Sequence, residues 1–166
     1  MRVKVIILVV LLGAFGILAA ANINLISESL LSLGDVSGFV QYGNYALFYG
    51  GDRDLSILDL SAGASVYPIA TFDVPVAEYR CNNVYIWGSN AYLVYPDKIH
   101  IVSLANIHNP VLQATFSPSA YYRVLIQNRY LYNISSTGIL SSYSLNNPLQ
   151  PELLDTLDTG MLRSEE

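Results

Sequence analysis

One cysteine, one tryptophan, two histidines and eight basic residues are spread over 166 residues, so the side chains that most often do chemistry or grip nucleic acid are scarce. The lone Cys81 excludes an internal disulfide and reads as a small buried hydrophobe. His100 and His108 have no Cys or second His at ligand spacing, so no zinc pattern can be built, and His100, inside an apolar run, reads as a half-buried strand residue. Arg2 and Lys4 account for two of the 8 basic residues, leaving 6 against 13 acidic ones. That balance excludes a phosphate-backbone footprint, which needs clustered Lys and Arg. Catalytic motifs are missing too. Gly34-Asp35-Val36-Ser37-Gly38 does not have the spacing of a nucleophile elbow, and no strand leads into a Gly-rich helix start, so neither a nucleotide nor any other cofactor is expected. Gly50-Gly51-Asp52-Arg53-Asp54 sets two carboxylates two residues apart but lacks the third oxygen ligand, the following Gly and the distant Glu of a calcium loop. It reads as a hairpin turn with solvated charges, and no metal is expected there. Asn133-Ile134-Ser135 matches a glycosylation acceptor, a short pattern that a strand end also explains.

Long uncharged runs are absent except at the start. Arg2 and Lys4 precede an apolar stretch from Val5 to Leu18, and Ala19-Ala20-Ala21 supplies small residues of the kind a signal peptidase accepts. Residues 1–21 are therefore expected to be a signal peptide cleaved before Asn22, which makes the rest secreted or displayed at the cell surface. The 17 residues from Val5 to Ala21 reach the lower limit for crossing a bilayer, so a membrane is a partner only if this segment stays uncleaved.

What is present is a repeat. Ile57-Leu58-Asp59-Leu60-Ser61 runs on to Pro68-Ile69-Ala70-Thr71-Phe72, and Ile101-Val102-Ser103-Leu104-Ala105 to Pro110 and Thr115-Phe116. The third copy is Tyr143-Ser144-Leu145-Asn146 through Pro151 to Thr156-Leu157. Phe72 and Phe116 lie 44 residues apart and Phe116 and Leu157 lie 41 apart, the spacing of propeller blades rather than of helical arrays. Val, Ile, Leu and Tyr dominate, and stretches of Ala, Glu, Lys and Arg on a helical period are missing, so the pieces are strands. Each copy divides into four: about 39–42, 45–49, 55–60 and 69–72; then 84–87, 91–95, 98–104 and 111–116; then 123–126, 130–134, 139–145 and 153–157. The fold class is all-β, a partial β-propeller of about three four-stranded antiparallel blades over residues 22–160 (repeats about 33–72, 73–116 and 117–157), with 161–166 as a tail. Leu33, Phe72, Phe116 and Leu157 close equivalent strands and are expected to be buried alike between blades. Closure needs about four to eight blades. The expectation is therefore either a truncated or split frame or chains that complete a ring together, with further propeller blades from another chain as the partner.

The segments Ile101-Val102-Ser103-Leu104-Ala105-Asn106-Ile107-His108-Asn109-Pro110 and Tyr143-Ser144-Leu145-Asn146-Asn147-Pro148-Leu149-Gln150-Pro151 resemble the LVIVD repeat. Gly43-Asn44-Tyr45-Ala46 and Ser89-Asn90-Ala91-Tyr92-Leu93-Val94 are similar to its turn and following strand. The chain departs from that pattern where Ser103 and Ser144 replace the usual strand-end Asp. The resemblance spans roughly Leu33 to Leu157 and implies an extracytoplasmic β-propeller of cell-surface proteins, mostly without an assigned activity.

On such a scaffold, the loops joining second to third strands and those crossing between blades gather at one end, where recognition concentrates. They carry Asp52, Arg53, Asp54, Asp97 and Lys98, with Glu78, Tyr79, Arg80 and Tyr121, Tyr122, Arg123 at the crossings. The Tyr-Arg pairs offer a ring face and a fork of donors to protein or carbohydrate, or else stack between blades at one repeat position. The expected function is a non-enzymatic extracytoplasmic binding or scaffolding module. The alternatives are a propeller hydrolase or lyase acting at the channel mouth, or a structural fragment without ligand. Mass spectrometry of the exported protein is expected to find Asn22 at the N-terminus; Met1 retained in a membrane fraction overturns the cleavage.

Overall fold

The computed structural model describes residues 36–51, 53–62, 68–75, 79–118 and 121–160. The expected signal segment, the strand proposed near Leu33 and the 161–166 tail lie outside the described residues. Three four-stranded antiparallel sheets follow one another. Blade 1 is β1 (Gly38–Tyr42), β2 (Tyr45–Tyr49), β3 (Leu55–Asp59) and β4 (Pro68–Phe72), with a 3-10 turn at Leu60–Ala62. Blade 2 is β5 (Asn83–Trp87), β6 (Asn90–Val94), β7 (Ile99–Ser103) and β8 (Val111–Phe116). Blade 3 is β9 (Tyr121–Gln127), β10 (Tyr130–Ser135), β11 (Ile139–Ser144) and β12 (Glu152–Asp158). Strands pair in simple succession and the first strands β1, β5 and β9 lie side by side, which is the layout of propeller blades around an axis.

The repeat holds at the level of single hydrogen bonds. Two-residue turns join first to second strands, and Gly43 (φ 57°), Gly88 (φ 60°) and Asn128 (φ 54°) take the left-handed position that this turn demands. Leu60, Leu104 and Leu145 each donate a backbone N–H back to the turn, to Asn44, Ser89 and Arg129 carbonyls at 2.8, 2.7 and 2.8 Å. Third and fourth strands slip by one residue at the same place in every blade, after Ile57, Ile101 and Ser142. Serine performs the work of the strand-end aspartate: Asp59 Oδ1 accepts from Ser61 N at 2.8 Å, Ser103 Oγ from Ala105 N at 3.3 Å, and Ser144 Oγ from Asn146 N at 3.2 Å.

Period-two alternation divides each blade into a leading face, toward the next blade, and a trailing face, toward the previous one. The leading face of blade 1 (Leu47, Leu55, Ile57) meets the trailing face of blade 2 (Val84, Ala91, Leu93, Val102) in one apolar cluster. Tyr92, Val94, Ile99 and Ile101 of blade 2 meet Ile126, Leu131 and Tyr143 of blade 3 in the other. The Phe116 and Tyr143 rings cross that second seam edge to face, with centroids 5.1 Å apart. Polar contacts run the same way. Tyr49 Oη donates to Asn83 Oδ1 at 3.1 Å, Asn83 Nδ2 to Tyr85 Oη at 3.0 Å, and Tyr85 Oη to the Val124 carbonyl at 2.6 Å, linking all three blades.

Equal burial of the strand-closing residues does not hold. Phe72 and Phe116 pack against the two clusters, whereas Leu157 is 60% exposed because no described sheet follows blade 3. Leu33 lies outside the described residues.

The register also isolates a misfit. Each trailing face carries a cross-strand row: Phe39, Phe48, Ser56, Thr71; Val84, Leu93, His100, Thr115; Val124, Asn133, Ser141, Thr156. Asn133 thus stands where the other blades have Phe48 and Leu93; it is 1% exposed, and neither amide atom has a hydrogen-bond partner among the described residues. A buried unpaired amide costs about 1–3 kcal/mol. Asn133→Leu is expected to raise stability by about that amount, read as a higher urea midpoint at unchanged slope; an unchanged or lower midpoint means the amide is satisfied in solution.

Candidate functional site

The end of the stack where second strands turn into third is drawn together by the crossing between blades 1 and 2. Arg53, in the β2–β3 loop, pairs with Asp73 just past β4. Beside it, Asp54 N donates to Asp73 Oδ1 at 3.2 Å, and Val74 N donates to Asp54 Oδ2 at 2.7 Å. Loop and crossing thus clasp each other by charge-assisted bonds in both directions. Gly50 is required by the same approach: its φ is 77°, and a Cβ there meets the Cys81 carbonyl at 2.9 Å. In blade 2 the corresponding turn is closed by Tyr95 N donating to the Lys98 carbonyl at 2.9 Å, while the Lys98 ammonium lies 3.1 Å from its neighbour Asp97.

The residues singled out from sequence divide into groups. Arg53 and Asp54 belong to the clasp; Asp97 and Lys98 form the adjacent turn. Tyr79 is 51% exposed on the crossing, with Arg80 exposed beside it. Asp52 and Glu78 lie outside the described residues. Tyr121, Tyr122 and Arg123 do not sit in a crossing loop: they open β9, with Arg123 exposed opposite Ile134 and the two tyrosine side chains outside what is described. The two Tyr-Arg pairs do not share a repeat position either. Arg123 is in register with Asn83, three residues beyond Arg80, because the first crossing is longer than the second.

Beneath the clasp lies a buried pair of polar rings. Tyr95 and His100 are 1% and 5% exposed, and their rings meet edge to face with centroids 5.1 Å apart. His100 Nδ1 shares a 2.8 Å hydrogen bond with Thr115 Oγ1, while His100 Nε2 has no hydrogen-bond partner among the described residues and the Tyr95 hydroxyl lies beside the Asp54 carboxylate. Burial, and after it the nearby Asp54 carboxylate and other acidic groups, hold the Tyr95 hydroxyl protonated well above the usual phenol range. Burial likewise pushes the Cys81 thiol up to about 12, and its Sγ lies 3.2 Å from the Asn83 carbonyl. That is an inert thiol rather than a nucleophile. His100 is deeper than the half-buried strand position expected of it. Asp73, Tyr95 and His100 join this end although the sequence does not single them out as site residues. The signal for Asp73 is a repeated one, since a polar residue follows Phe72, Phe116 and Leu157 at Asp73, Ser117 and Asp158. Among the described residues no group of three or more His, Cys, Asp or Glu side chains is placed to hold a metal.

No known protein family matches the chain, and no curated protein matches it. Solved structures do. The chain is similar to the N-terminal domain of Nup159, a β-propeller, with a TM-score of 0.55 at 13% identity over 79% of this chain and 33% of that one. It matches with the same values a complex described as S. cerevisiae Dbp5 bound to Nup159, Gle1, IP6 and ADP. At that identity the likeness is one of fold: an all-β stack of three propeller blades, spanning about a third of the structures it matches.

His100 gives this end a pH dependence. Burial first, then the Lys98 charge, lowers its pKa from the ordinary 6.5, against weaker pulls from Asp54 and Asp97. A folded-state pKa below the unfolded one gives stability that is full above about 6.5 and is lost as pH falls below it. The urea midpoint is therefore expected to drop between about pH 7 and 5, and His100→Ser, the residue at the same place in blades 1 and 3, is expected to flatten that drop. A profile unchanged by the substitution overturns the assignment.

Proposed function

We propose that this chain is a non-enzymatic binding or scaffolding module of the LVIVD-repeat kind, working outside the cytoplasm and recognising protein or carbohydrate with the loop end described above. The observation that carries this reading is a division of labour. The groups that face solvent are a ring and mixed charges on a clasped frame: Tyr79, Arg80, Asp97, Arg123 and the Arg53–Asp73 pair. The histidine, phenol and thiol beneath them, His100, Tyr95 and Cys81, are buried, with protonation moved toward their uncharged forms.

Recognition suits the first group. Tyrosine supplies contact area at low entropic cost, and arginine supplies a planar fork for carboxylates, hydroxyls and backbone carbonyls. The clasp lowers the ordering cost of binding, because loop and crossing are already fixed to each other. Protein binding has a precedent in this architecture, since Nup159 is found in a complex with Dbp5 and Gle1. The extracytoplasmic setting rests on the N-terminal segment. Among the described residues no helix is long and apolar enough to cross a membrane.

The test uses the full chain, fluorescently labelled, on a carbohydrate array and on an array of surface-protein ectodomains. Saturable binding is expected, weakened more than about tenfold by Tyr79→Ala with Arg80→Ala and unchanged by Leu153→Ser on the outer strand. Binding indifferent to the loop-end pair overturns the site. Turnover of a panel of ester, glycoside and peptide substrates replaces the module by a hydrolase.

A further inference from the structure

The outer rims of the two seams differ. Where β4 slips against β3 the extra residue is Ile69, and the residue just before the slip of β8 is Leu112; both pack against the first apolar cluster. Their counterparts in the second seam are Gln113 and Leu153. Gln113 is exposed. Leu153 is in register with buried Tyr143 on the face toward blade 2, yet it is 54% exposed with blade 2 standing against that face. Blade 3 is not held away, since Tyr92 Oη donates to the Pro148 carbonyl at 3.0 Å and pins the 146–151 connection to blade 2. The opening comes from glutamine in the place of isoleucine, and it is independent of whatever adjoins the other face of blade 3. Val111, in register with Ser103 on the face toward blade 3, is 50% exposed, and Leu154, the extra residue of β12, is 53% exposed.

Beside this rim β12 is the edge of its sheet, and such a strand offers its outward N–H and C=O groups to another strand. At 7 residues it is longer than β4 with 5 and β8 with 6, it is exposed at every position, and unlike β4 it does not open on a proline. We propose that β12 and the open rim of the second seam take up an extended segment of a partner protein. The segment pairs along β12 as a fifth strand, seats leucine-like side chains against Leu153, and carries Lys or Arg among them. Charge selects that chemistry. Residues 103–117 and 145–160, which form the rim and the edge, hold Glu152, Asp155 and Asp158 and no Lys or Arg. The same charges disfavour a second copy of this chain. Antiparallel pairing of two β12 strands over their full length sets Glu152 against Asp158 and Asp155 against itself, carboxylate opposite carboxylate. A basic segment gains at each of these positions.

This surface lies apart from the loop end, so either can fail alone. The full chain is titrated into a fluorescent peptide of Lys-Leu-Thr-Leu repeats. One control peptide has Glu for Lys, and another has alternate backbone amides methylated so that they cannot pair with a strand. Saturable binding is expected for the first peptide alone, weakening as salt is raised. Leu153→Ser, which leaves the loop end untouched, is expected to weaken it more than about tenfold, and so is Glu152→Lys with Asp158→Lys. All three positions are exposed, so the far-ultraviolet spectrum and the urea midpoint are expected to stay unchanged. Absence of binding, equal binding of either control peptide, or binding indifferent to both sets of substitutions overturns the proposal. So does a dimer by light scattering that Leu153→Ser dissolves, which assigns the edge to a second copy.

Discussion

Every sheet here has two faces, and a four-stranded blade draws its stability from the neighbours that cover them. Blade 2 is the one blade whose two faces are both covered by described sheets. All five residues of β6 are buried, while β10 in blade 3 alternates between buried and half-buried, and β12 is exposed throughout. Stability in such an array is close to a sum of blade and seam terms. The two seams therefore determine what the rest of the chain can do, including where its loops are held.

The loop end inherits its rigidity from the first seam. Asp54 and Asp73 flank the β3–β4 pair, and they are brought within bonding distance because those two strands are already paired and packed on blade 2. The second seam has a polar centre, with Asn133 and Ser141 buried where blade 2 uses Leu93 and His100. Local preference and global packing conflict at that point. Such conflicts mark places where a protein gives up stability for something else.

Much of the fold was legible because repetition multiplies weak signals. A single apolar run of five residues fits strand or helix, but the Thr-Phe ending at Phe72 and Phe116, with Pro68 and Pro110 before it, set strand positions to within a residue or two. The site was less legible. Sequence placed Arg53, Asp54, Asp97 and Lys98 at one end of the stack, but the partner that ties the first two, Asp73, is about 20 residues away and meets them only through strand pairing. The Tyr-Arg pairs looked equivalent because spacing within a crossing is invisible to a repeat pattern; only the pairing of Asn83 with Val94 and of Arg123 with Ile134 fixes the register. Leu157 matched its counterparts in sequence and not in burial, because burial belongs to the neighbouring sheet and not to the residue itself.

The tyrosine–asparagine chain across the first strands has a sense of direction. A phenol carries one proton, so with Tyr85 giving its own to the Val124 carbonyl it can only accept from Asn83, and the amide of Asn83 is thereby oriented with its oxygen toward Tyr49. One proton at the far seam fixes which way a side chain points at the near one. The three blades are consequently joined by a polarised wire whose links strengthen one another. Removing the middle hydroxyl breaks two bonds and leaves the Asn83 oxygen held only on the near side, by the Tyr49 hydroxyl and the Val84 N–H, so the polar link between the two seams, built from separate apolar clusters, runs through a single side chain.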